Sequence, residues 1–547
     1  MFNSLIITTQ LFFSIIAGVY FFTQLKSQRS DKDGINEDSK RVLERLNSMR
    51  RISLTKPLTE QTRPKTIDEI IGQEEGVEAL KTALCGKNPQ HVLIYGPPGV
   101  GKTAASRVAM EYAKKSEGTP FKKDAKFIEA DATVMQYDER SIADPLIGSV
   151  HDPIYQGAGA YGAAGVPQPK EGAVSKAHGG ILFIDEIGEL QPIQINRLLK
   201  VLEDRKVLFE SAYYSSTNKN IPPHIHDVFK NGIPADFRLI GATTRSPEEI
   251  PPAIRSRCTE IFFNPLKRDD IMKIIENTLE KLDITVNGEC REMICKYAAN
   301  GRDAVSFLQT LASRLHLKNR TDANLCDIEW IIDSGRYMPV YDFRVDECEK
   351  VGKVNALAVA GGGGGIVVPV EAVCRKGNGT IRCGGITETE TIKKGAQSFT
   401  RTSTAKTSVD NVATVLKTLY NTDTSLYDIY INIPGGIPVE GLSAGVAIFT
   451  CVYSSINNLP VSGKTAFTGE LSIRGEVMPV GGVKAKIEAA EAAGADTVFI
   501  PAANNCEHYA QMKIKVIPVR QIDEIISYIS KHEENEEAAL RIAAPVS

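Results

Sequence analysis

The chain has 547 residues and a formal net charge of −3, with 42% apolar and 24% charged residues. This length exceeds what one hydrophobic core usually supports and indicates two or three domains. The near-neutral charge argues against a nucleic-acid-binding protein, which would carry a basic surface. The ten cysteines are scattered without a C-x-x-C pair. They indicate reduced thiols in a cytosolic protein, not a disulfide framework or a zinc site.

The first 25 residues contain no charged residue and no histidine, and Leu5–Phe22 is mostly apolar. At about 1.5 Å per residue this segment would form roughly 27 Å of helix, close to the thickness of a bilayer core. Lys26, Arg29 and Lys32 follow directly, and the positive-inside rule then places the domains behind them in the cytoplasm. We predict a single transmembrane anchor at 1–25; a buried amphipathic helix is the alternative.

The next segment, 26–60, is polar and predicts a linker. Over 61–265, short β-branched runs alternate with helical stretches, which is typical of a parallel sheet covered by helices on both faces. Four runs predict its strands: His91–Tyr95, Lys126–Ala130, Ile181–Asp185 and Arg238–Ala242. Residues 266–340 lack such runs and predict a small helical subdomain. A second α/β domain is predicted at 345–533, followed by a tail at 534–547.

A run of five glycines, Gly361–Gly365, lies inside the second α/β region. The flanking runs Leu357–Ala360 and Ile366–Val370 have the β-branched, apolar composition of strands. Together they predict a hairpin whose tip is the glycine run, with a plain linker as the alternative.

One octet matches the G-x-x-x-x-G-K-[ST] pattern, directly after a predicted strand: Gly96, Pro97, Pro98, Gly99, Val100, Gly101, Lys102 and Thr103. Glycines in this pattern let backbone N–H groups wrap nucleotide phosphates, while Lys102 reaches the β- and γ-phosphate oxygens and Thr103 ligates Mg²⁺. The pattern is specific when a strand precedes it and a helix follows. We therefore predict a nucleotide and Mg²⁺ as cofactors.

Two carboxylates, Asp185 and Glu186, stand at the end of a predicted buried strand. Beside a phosphate-binding loop, Asp185 suits the Mg²⁺ shell and Glu186 suits polarisation of the attacking water. Another predicted strand ends in Thr243 and Thr244, whose hydroxyls can sense a γ-phosphate. Side chains from neighbouring parallel strands therefore form a predicted nucleotide-hydrolysing site.

Two arginines are candidates for contacts with the nucleotide. Arg257 follows Arg255 and Ser256 after a Pro-Pro pair, and an arginine in such a place can complete the site of a neighbouring subunit. Arg302 belongs to Asn300-Gly-Arg-Asp, which opens a predicted helix. Its position would bring it against the bound nucleotide.

A serine in the C-terminal half, Ser443, lies in a glycine-rich turn before an apolar run. A serine nucleophile needs a base. Within 345–533 only His508 and His532 are histidines, and His532 lies in the charged tail. A Ser-His-Asp arrangement would have to use His508, whereas a serine–lysine pair performs the same proton transfer.

Two lysines, Lys484 and Lys486, open a predicted helix after a Gly-Gly pair. Helical spacing places Lys484 on a face with Glu488 and Glu491, and Lys486 on an apolar face with alanines. Burial disfavours the ammonium form, and a drop of roughly two to three units would make the amine a base near pH 8. We predict Lys486 as the base and Lys484 as a surface lysine in an ion-pair row.

The nucleotide motifs resemble those of the AAA+ ATPases, and residues 63–533 resemble the Lon proteases, most closely their membrane-linked B-type branch. The resemblance implies an α/β fold class: an AAA+ parallel-sheet ATPase with a small helical subdomain, then a Lon-type Ser-Lys protease domain. ATP and Mg²⁺ are the implied cofactors. The resemblance assigns a γ-phosphate sensor to Thr244, a trans-acting finger to Arg257 and a second sensor to Arg302.

Lon proteases carry their nucleophile in Pro-x-x-Gly-Pro-Ser-Ala-Gly and their base in Gly-Gly-x-x-x-Lys, which match Ser443 and Lys486 residue by residue. Leu442 replaces the usual proline, so this turn loses a residue with a fixed φ. Thr468, followed by Gly-Glu, matches a further family motif and is expected to orient Lys486 by a hydrogen bond. Backbone N–H groups beside Ser443 are the expected oxyanion donors.

A ring is also implied, because a trans-acting arginine and a central pore both require neighbouring subunits. The resemblance therefore implies a homo-hexamer that takes protein substrates. Tyr155 or Tyr161, in a glycine-rich segment between the two nucleotide motifs, is expected to grip substrate in the pore. A packed tyrosine in an ordinary loop is the alternative.

The sequence thus predicts an ATP-dependent serine endopeptidase that unfolds and degrades proteins, with no nucleic acid as partner. One alternative is a non-proteolytic ring motor, either a membrane-tethered unfoldase or a DNA-acting helicase-like ATPase. The DNA-acting version would need a basic module, and the C-terminal half has no basic stripe. A metalloprotease is disfavoured because H-E-x-x-H is absent and His224 and His226, assigned to an inserted loop, lack a third ligand.

Overall fold

The computed structural model describes residues 17, 18, 20, 43–51 and 57–530, with gaps at 136–143, 152–166, 212–213, 218–220, 341–343, 360–363, 385–388, 395–396, 403 and 435–441. Only the backbone is described at 151, 389–394, 397–402, 404 and 405. Contacts divide the chain into two compact units, Met1–Gln61 and Thr62–Ser547. In the first unit, residues 43–51 and Leu58–Gln61 are helical. The two modules described below belong to the second unit.

The predicted membrane segment, Leu5–Phe22, lies outside the described residues except at positions 17, 18 and 20. No helix in the part of the chain that the structure describes is both long and apolar enough to cross a bilayer. The anchor, the linker and the domain boundaries drawn from the sequence stay predictions.

The N-terminal module, residues 62–335, is built on five parallel strands in the order β2-β5-β8-β1-β9. Their bounds are β1 His91–Tyr95, β2 Phe127–Asp131, β5 Ile181–Asp185, β8 Arg238–Thr243 and β9 Cys258–Phe262. Four of them confirm the predicted strands to within one residue. The fifth, β9, was not predicted, because Thr259 and Glu260 interrupt its apolar pattern. Two small ribbons accompany the sheet: β3 Gly148–His151 with β4 Gln168–Glu171, and β6 Lys206–Val207 with β7 Ile233–Pro234.

Side chains alternate between the two faces of this sheet, as strand geometry requires. Val92 and Ile94 join one hydrophobic core, and Leu93 and Tyr95 join the other. Helices supply the rest of both cores: α1 Glu74–Leu84, α2 Lys102–Ala113, α3 Ala173–Lys176, α4 Pro192–Asp204, α5 Pro223–Asn231 and α6 Pro252–Arg255. The predicted parallel sheet with two covered faces is confirmed.

Four helices fill the stretch predicted to be helical: α7 Arg268–Leu279, α8 Gly288–Tyr297, α9 Gly301–Leu317 and α10 Leu325–Gly335. They share a core of their own that includes Ile275, Phe307 and Ile328. Asparagine side chains cap three of the helix starts, at Asn287, Asn300 and Asn324. Each accepts a backbone N–H that the first helical turn leaves unpaired.

The C-terminal module, residues 345–530, contains a mixed seven-stranded sheet in the order β12-β15-β11-β10-β16-β19-β20. The bounds are β10 Lys353–Val359, β11 Gly365–Lys376, β12 Ile381–Gly384, β15 Tyr427–Asn432, β16 Thr465–Phe467, β19 Thr497–Pro501 and β20 Lys515–Val519. β10, β16, β19 and β20 run parallel to one another. Two ribbons complete the strands: β13 Thr389–Lys394 with β14 Gln397–Thr402, and β17 Glu470–Leu471 with β18 Val477–Met478.

Helices cover both faces of this second sheet: α11 Thr404–Leu419, α12 Gly445–Asn457, α13 Val483–Ala492 and residues 522–530. Ala444 and the buried residues of α12 belong to one core, whereas those of α13 belong to the core on the opposite face. The helix after Ser443 and the helix with Lys486 therefore lie on opposite sides of the sheet. Their starts can meet only at a sheet edge.

The predicted hairpin around the glycine run is confirmed, since β10 and β11 pair antiparallel from Lys353–Glu371 to Val359–Gly365. Positions 361–363 of the run lie outside the described residues. The assignment of His224 and His226 to a loop was wrong. Both lie on α5, which begins at the Pro222-Pro223 pair, and His226 Nδ1 pairs with Tyr214 Oη at 3.1 Å.

Candidate active site

The phosphate-binding octet joins β1 to α2 at the carboxyl edge of the first sheet. Lys102 is 7% exposed, and its Nζ donates to the carbonyls of Gly96, at 2.5 Å, and Pro97, at 3.1 Å. Burial lowers the pKa of Lys102, and the carboxylates Glu186 and Asp185 raise it. A buried ammonium that has only carbonyl partners is suited to receive an anion. The site therefore fits nucleotide phosphates.

The two acids predicted beside the octet do lie there, because β5 and β8 are neighbours in the sheet. Glu186 Oε2 accepts hydrogen bonds from the backbone N–H and the hydroxyl of Thr244, at 3.2 and 3.1 Å. Glu186 has φ 49°, in the left-handed region. That backbone conformation is rare for a residue with a side chain and recurs at functional sites.

The remaining acid is half-buried at the end of β5. Burial raises the pKa of Asp185, Glu186 raises it further, and Lys102 lowers it. A divalent cation would relieve the repulsion between the two carboxylates, and Mg²⁺ prefers oxygen ligands. The Thr103 hydroxyl, next in chain to Lys102, and the Asp185 carboxylate supply such oxygens. These residues fit Mg²⁺.

Asn300, in the small helical subdomain, packs against the phosphate-binding octet. Gly99 has φ +75°, and a side-chain carbon on it would overlap Asn300 Oδ1. The same amide oxygen caps α9 by accepting the N–H of Asp303 at 3.0 Å. Arg302, in the first turn of α9, lowers the pKa of Lys102 through its charge. Arg302 is therefore within electrostatic reach of the phosphate site, where the sequence predicted it.

The other arginine, Arg257, lies at the opposite edge of the sheet. It directly precedes Cys258, which pairs with His91 at the amino end of β1. Its guanidinium pairs with Glu203 and donates to the carbonyl of Ala253 at 2.8 Å. An open cavity of about 380 Å³ lies there, lined with Arg205, Arg238 and Arg257 among others. Arg257 therefore lies at the edge of the sheet opposite the phosphate-binding loop of the same chain.

In the C-terminal module, Ser443 lies in the 3₁₀ turn Leu442–Ala444, immediately before α12. The amino end of a helix carries partial positive charge, which favours an oxyanion at this place. The Ser443 carbonyl accepts the N–H of Gly469 at 3.0 Å. Residues 435–441 of the glycine-rich segment before the serine lie outside the described residues.

The predicted base, Lys486, is 2% exposed in the first turns of α13. Burial lowers the pKa of Lys486 to about 8. His508, the alternative base, is exposed in the 3₁₀ turn Glu507–Gln511. Of the two candidate bases, Lys486 is the buried one, and its lowered pKa makes a neutral amine available at slightly basic pH.

Thr468 directly follows β16 and lies between the contacts of Lys486 and Ser443. Lys486 Nζ donates to Thr468 Oγ1 at 3.2 Å, which confirms the hydrogen bond expected from the sequence. Gly469, next in the chain, holds the Ser443 carbonyl. No hydrogen bond joins Ser443 Oγ directly to Lys486 Nζ, although the structure describes both residues. Catalytic hydrogen bonds are often long before substrate binds, so this geometry is compatible with a pair that closes on substrate.

Two predicted residues lie outside the described part of the chain, and two further residues contact the site without having been predicted. Tyr155 and Tyr161 lie outside the described residues, so their role stays a prediction. Asn300 and Glu75 contact the site or its supports but had no predicted role. Asn300 is foreshadowed by its N-cap position alone. Glu75 carries no signal in the sequence, because its partner, Lys484, is 409 residues away.

Comparison with known proteins agrees with both modules. The Lon protease (S16) C-terminal proteolytic domain matches residues 334–531, and magnesium chelatase subunit ChlI matches residues 66–222. Lon protease 2 of Bacillus subtilis (strain 168) is 51% identical over 536 residues, 97% of each chain. The archaeal Lon protease of Methanothermobacter thermautotrophicus is 30% identical over 433 residues, 71% of this chain and 64% of its own. A RuvB variant of Thermotoga maritima, a solved structure, covers 52% of this chain and 77% of its own, with a TM-score of 0.36 and 20% identity.

A nucleotide site and a buried lysine beside a serine turn, in one chain, define an ATP-dependent serine protease. The agreement with Lon protease 2 extends along nearly the full length of both chains. The chain belongs to the Lon protease family. Its place in the membrane-linked branch of that family stays a prediction.

Proposed function

We propose that this chain cleaves proteins with Ser443 as nucleophile and Lys486 as general base, driven by ATP hydrolysis in a homo-hexameric ring. The observation that carries the proposal is the buried Lys486 amine, which donates a hydrogen bond to Thr468. The next residue in the chain donates its backbone N–H to the Ser443 carbonyl. A lysine needs an unusual environment to act as a base near neutral pH, and this one has it.

Cleavage begins when the neutral Lys486 amine accepts the Ser443 proton and the serine oxygen attacks the peptide carbonyl. The tetrahedral oxyanion lies at the amino end of α12, where backbone N–H groups can donate to it. Lys486 then returns the proton to the leaving amine, and an acyl-enzyme remains. Water, deprotonated by Lys486, hydrolyses the acyl-enzyme and restores both residues.

ATP hydrolysis uses the residues at the carboxyl edge of the first sheet. Lys102 binds the β- and γ-phosphates, and Glu186, held by Thr244, polarises the attacking water. Thr103 and Asp185 would hold Mg²⁺, which neutralises phosphate charge when bound. Arg302 completes the site from the same chain, and Arg257 from the neighbouring subunit. Tyr155 or Tyr161 is our proposed substrate grip, and no nucleic acid takes part.

A serine-directed acylating probe tests the proposed nucleophile. We expect peptide mapping of the labelled full-length chain to place the adduct on Ser443. Lys486→Met is expected to abolish the adduct, because a serine alcohol without a base is a weak nucleophile. An adduct on another residue, or unchanged proteolysis by Ser443→Ala, would assign the nucleophile elsewhere. The ATPase rate of Ser443→Ala serves as the folding control.

We also propose that residues 1–25 anchor the chain in a membrane with its catalytic modules in the cytoplasm. The support is the uncharged apolar stretch followed by Lys26, Arg29 and Lys32. Cell fractionation should find the full chain with the membranes and a chain lacking residues 1–25 in the soluble fraction. The same truncation should leave peptide hydrolysis unchanged. A full chain that is soluble in the same fractionation would refute the anchor.

A further inference from the structure

The helix that carries Lys486 is tied to the N-terminal module by an ion pair. Lys484 Nζ lies 2.7 and 2.6 Å from the two carboxylate oxygens of Glu75, in the first turn of α1. The hydrogen bond to Glu75 raises the pKa of Lys484, so this lysine stays charged. Glu488, 3.9 Å away, also contacts it. Lys484 and Lys486 are two residues apart, so one helical turn carries the intermodule contact and the buried amine.

A second contact joins the same helix to the N-terminal module through the start of β11. A side-chain carbon on Gly365 would overlap the carbonyl of Ala485, which directly precedes Lys486. A side-chain carbon on Gly364 would lie 2.6 Å from Cγ of Pro265, so the proline ring packs on that glycine. Pro265 lies between β9 and α7. The first turn of α13 is thus held at two points.

The segment before Pro265 also contacts the phosphate-binding loop. Phe263 donates its N–H to the carbonyl of Tyr95 at 2.8 Å, and a side-chain carbon on Gly96 would lie 2.6 Å from the Phe263 carbonyl oxygen. A side-chain carbon on Gly76, the residue after Glu75, would lie 2.6 Å from the phenyl ring of Phe263, so the ring packs on that glycine. Phe263 therefore contacts both the phosphate-binding loop and α1, the helix whose Glu75 pairs with Lys484.

The start of α1 is fixed to the same segment by a pair of hydrogen bonds. Gln73 Nε2 donates to the carbonyl of Asn264 at 2.7 Å, and Gln73 Oε1 accepts the N–H of Asn264 at 3.0 Å. Gln73 is 3% exposed, so both bonds are shielded from water. A displacement of the phosphate-binding loop would move Phe263 and Asn264, and the start of α1 would move with them.

We infer that Glu75 and Lys484 are positioning residues for proteolysis. Their ion pair fixes the first turn of α13 relative to the phosphate-binding loop. The position of Lys486 therefore depends on the conformation of that loop. The inference rests on the proposed role of Lys486 as base. An exposed ion pair contributes little to stability. Its effect is therefore expected in the rate of cleavage and not in folding.

Charge reversal in the full-length chain tests the pair, with hydrolysis of a short unstructured peptide measured with and without ATP. In Glu75→Lys, two lysines face each other, and kcat with ATP should fall about fivefold while KM and the ATPase rate stay within about twofold. Adding Lys484→Glu reverses the pair. Because Glu488 repels a carboxylate at that position, we expect recovery to about half of the wild-type kcat.

Glu74→Lys is the matched control, since Glu74 is an exposed acid in the same helical turn as Glu75. It should leave kcat unchanged. Full kcat in Glu75→Lys, or a reversed pair as slow as Glu75→Lys alone, would overturn the inference. Peptide cleavage by Lys486→Met would instead refute the proposed base, whatever the behaviour of Glu75 variants. The two failures are therefore distinguishable.

Discussion

Replacing Lys486 by methionine is expected to lower the rate of peptide cleavage by about three orders of magnitude or more and to leave the rate of ATP hydrolysis nearly unchanged. Methionine fills a similar volume in the core beside Val483 and Ile487 but cannot accept a proton. Hydrolysis of a short peptide by the full-length chain measures the loss. Lys417→Met, a change at an exposed lysine of α11, is the matched control and should retain full activity.

The same assignment fixes the pH dependence of cleavage. The amine acts as a base only when neutral, and the pKa of Lys486 is lowered to about 8. We expect kcat/KM to rise about tenfold per pH unit below that value and to level off above it. A profile with no transition near pH 8 would contradict Lys486 as the base.

Lys486→Met should raise the stability of the fold although it abolishes cleavage. Burying the charged amine lowers stability by up to about 3 kcal/mol below pH 8, where the folded and unfolded chains are both protonated. Between about pH 8 and 10.4 the folded chain releases its proton first, so the penalty declines as pH rises. Lys486→Met removes the penalty and should unfold at a higher temperature than wild type at pH 7. A variant that is inactive and less stable would indicate a structural lysine.

Local patterns in the sequence were sufficient to predict those site residues whose positions depend on a single strand or helix. The octet after β1 and the two acids after β5 follow from strand ends, because parallel strands present their carboxyl ends at one edge. The buried face of α13 follows from helical periodicity, which separates Lys486 from Lys484. The contact of Lys486 with Thr468 came from a family motif and not from spacing.

Contacts between distant segments were not predictable in this way. Lys484 was expected to pair with acids of its own helix, and Glu488 is indeed 3.9 Å away. Its shorter contact is to Glu75, in the other module. Side-chain periodicity describes one element and contains no information about which modules pack together. The pairing of β9 with β1 and the packing of Asn300 on Gly99 are also tertiary contacts, which local patterns do not predict.

Mixing two inactive variants, Arg257→Ala and Lys102→Ala, is expected to restore ATP hydrolysis. Within one chain, Arg257 directly precedes β9 and is level with residue 90, whereas the phosphate-binding loop begins at Gly96, roughly 20 Å further along at about 3.3 Å per residue. If the arginine acts in the neighbouring subunit, an Arg257→Ala subunit supplies an intact loop and a Lys102→Ala subunit an intact arginine. About a quarter of interfaces in a random ring are then complete.

Phosphate release from full-length chains, co-expressed or mixed and reassembled, measures this complementation. Each variant alone should lose about two orders of magnitude or more in rate, the range expected for a finger arginine or a phosphate-binding lysine. The matched control mixes Arg257→Ala with the double variant Lys102→Ala/Arg257→Ala, which has no intact arginine and should restore nothing. If the first mixture is no more active than its components, Arg257 acts within its own subunit or not at all. Restoration in the first mixture alone would require direct contact between subunits, as the proposed ring does.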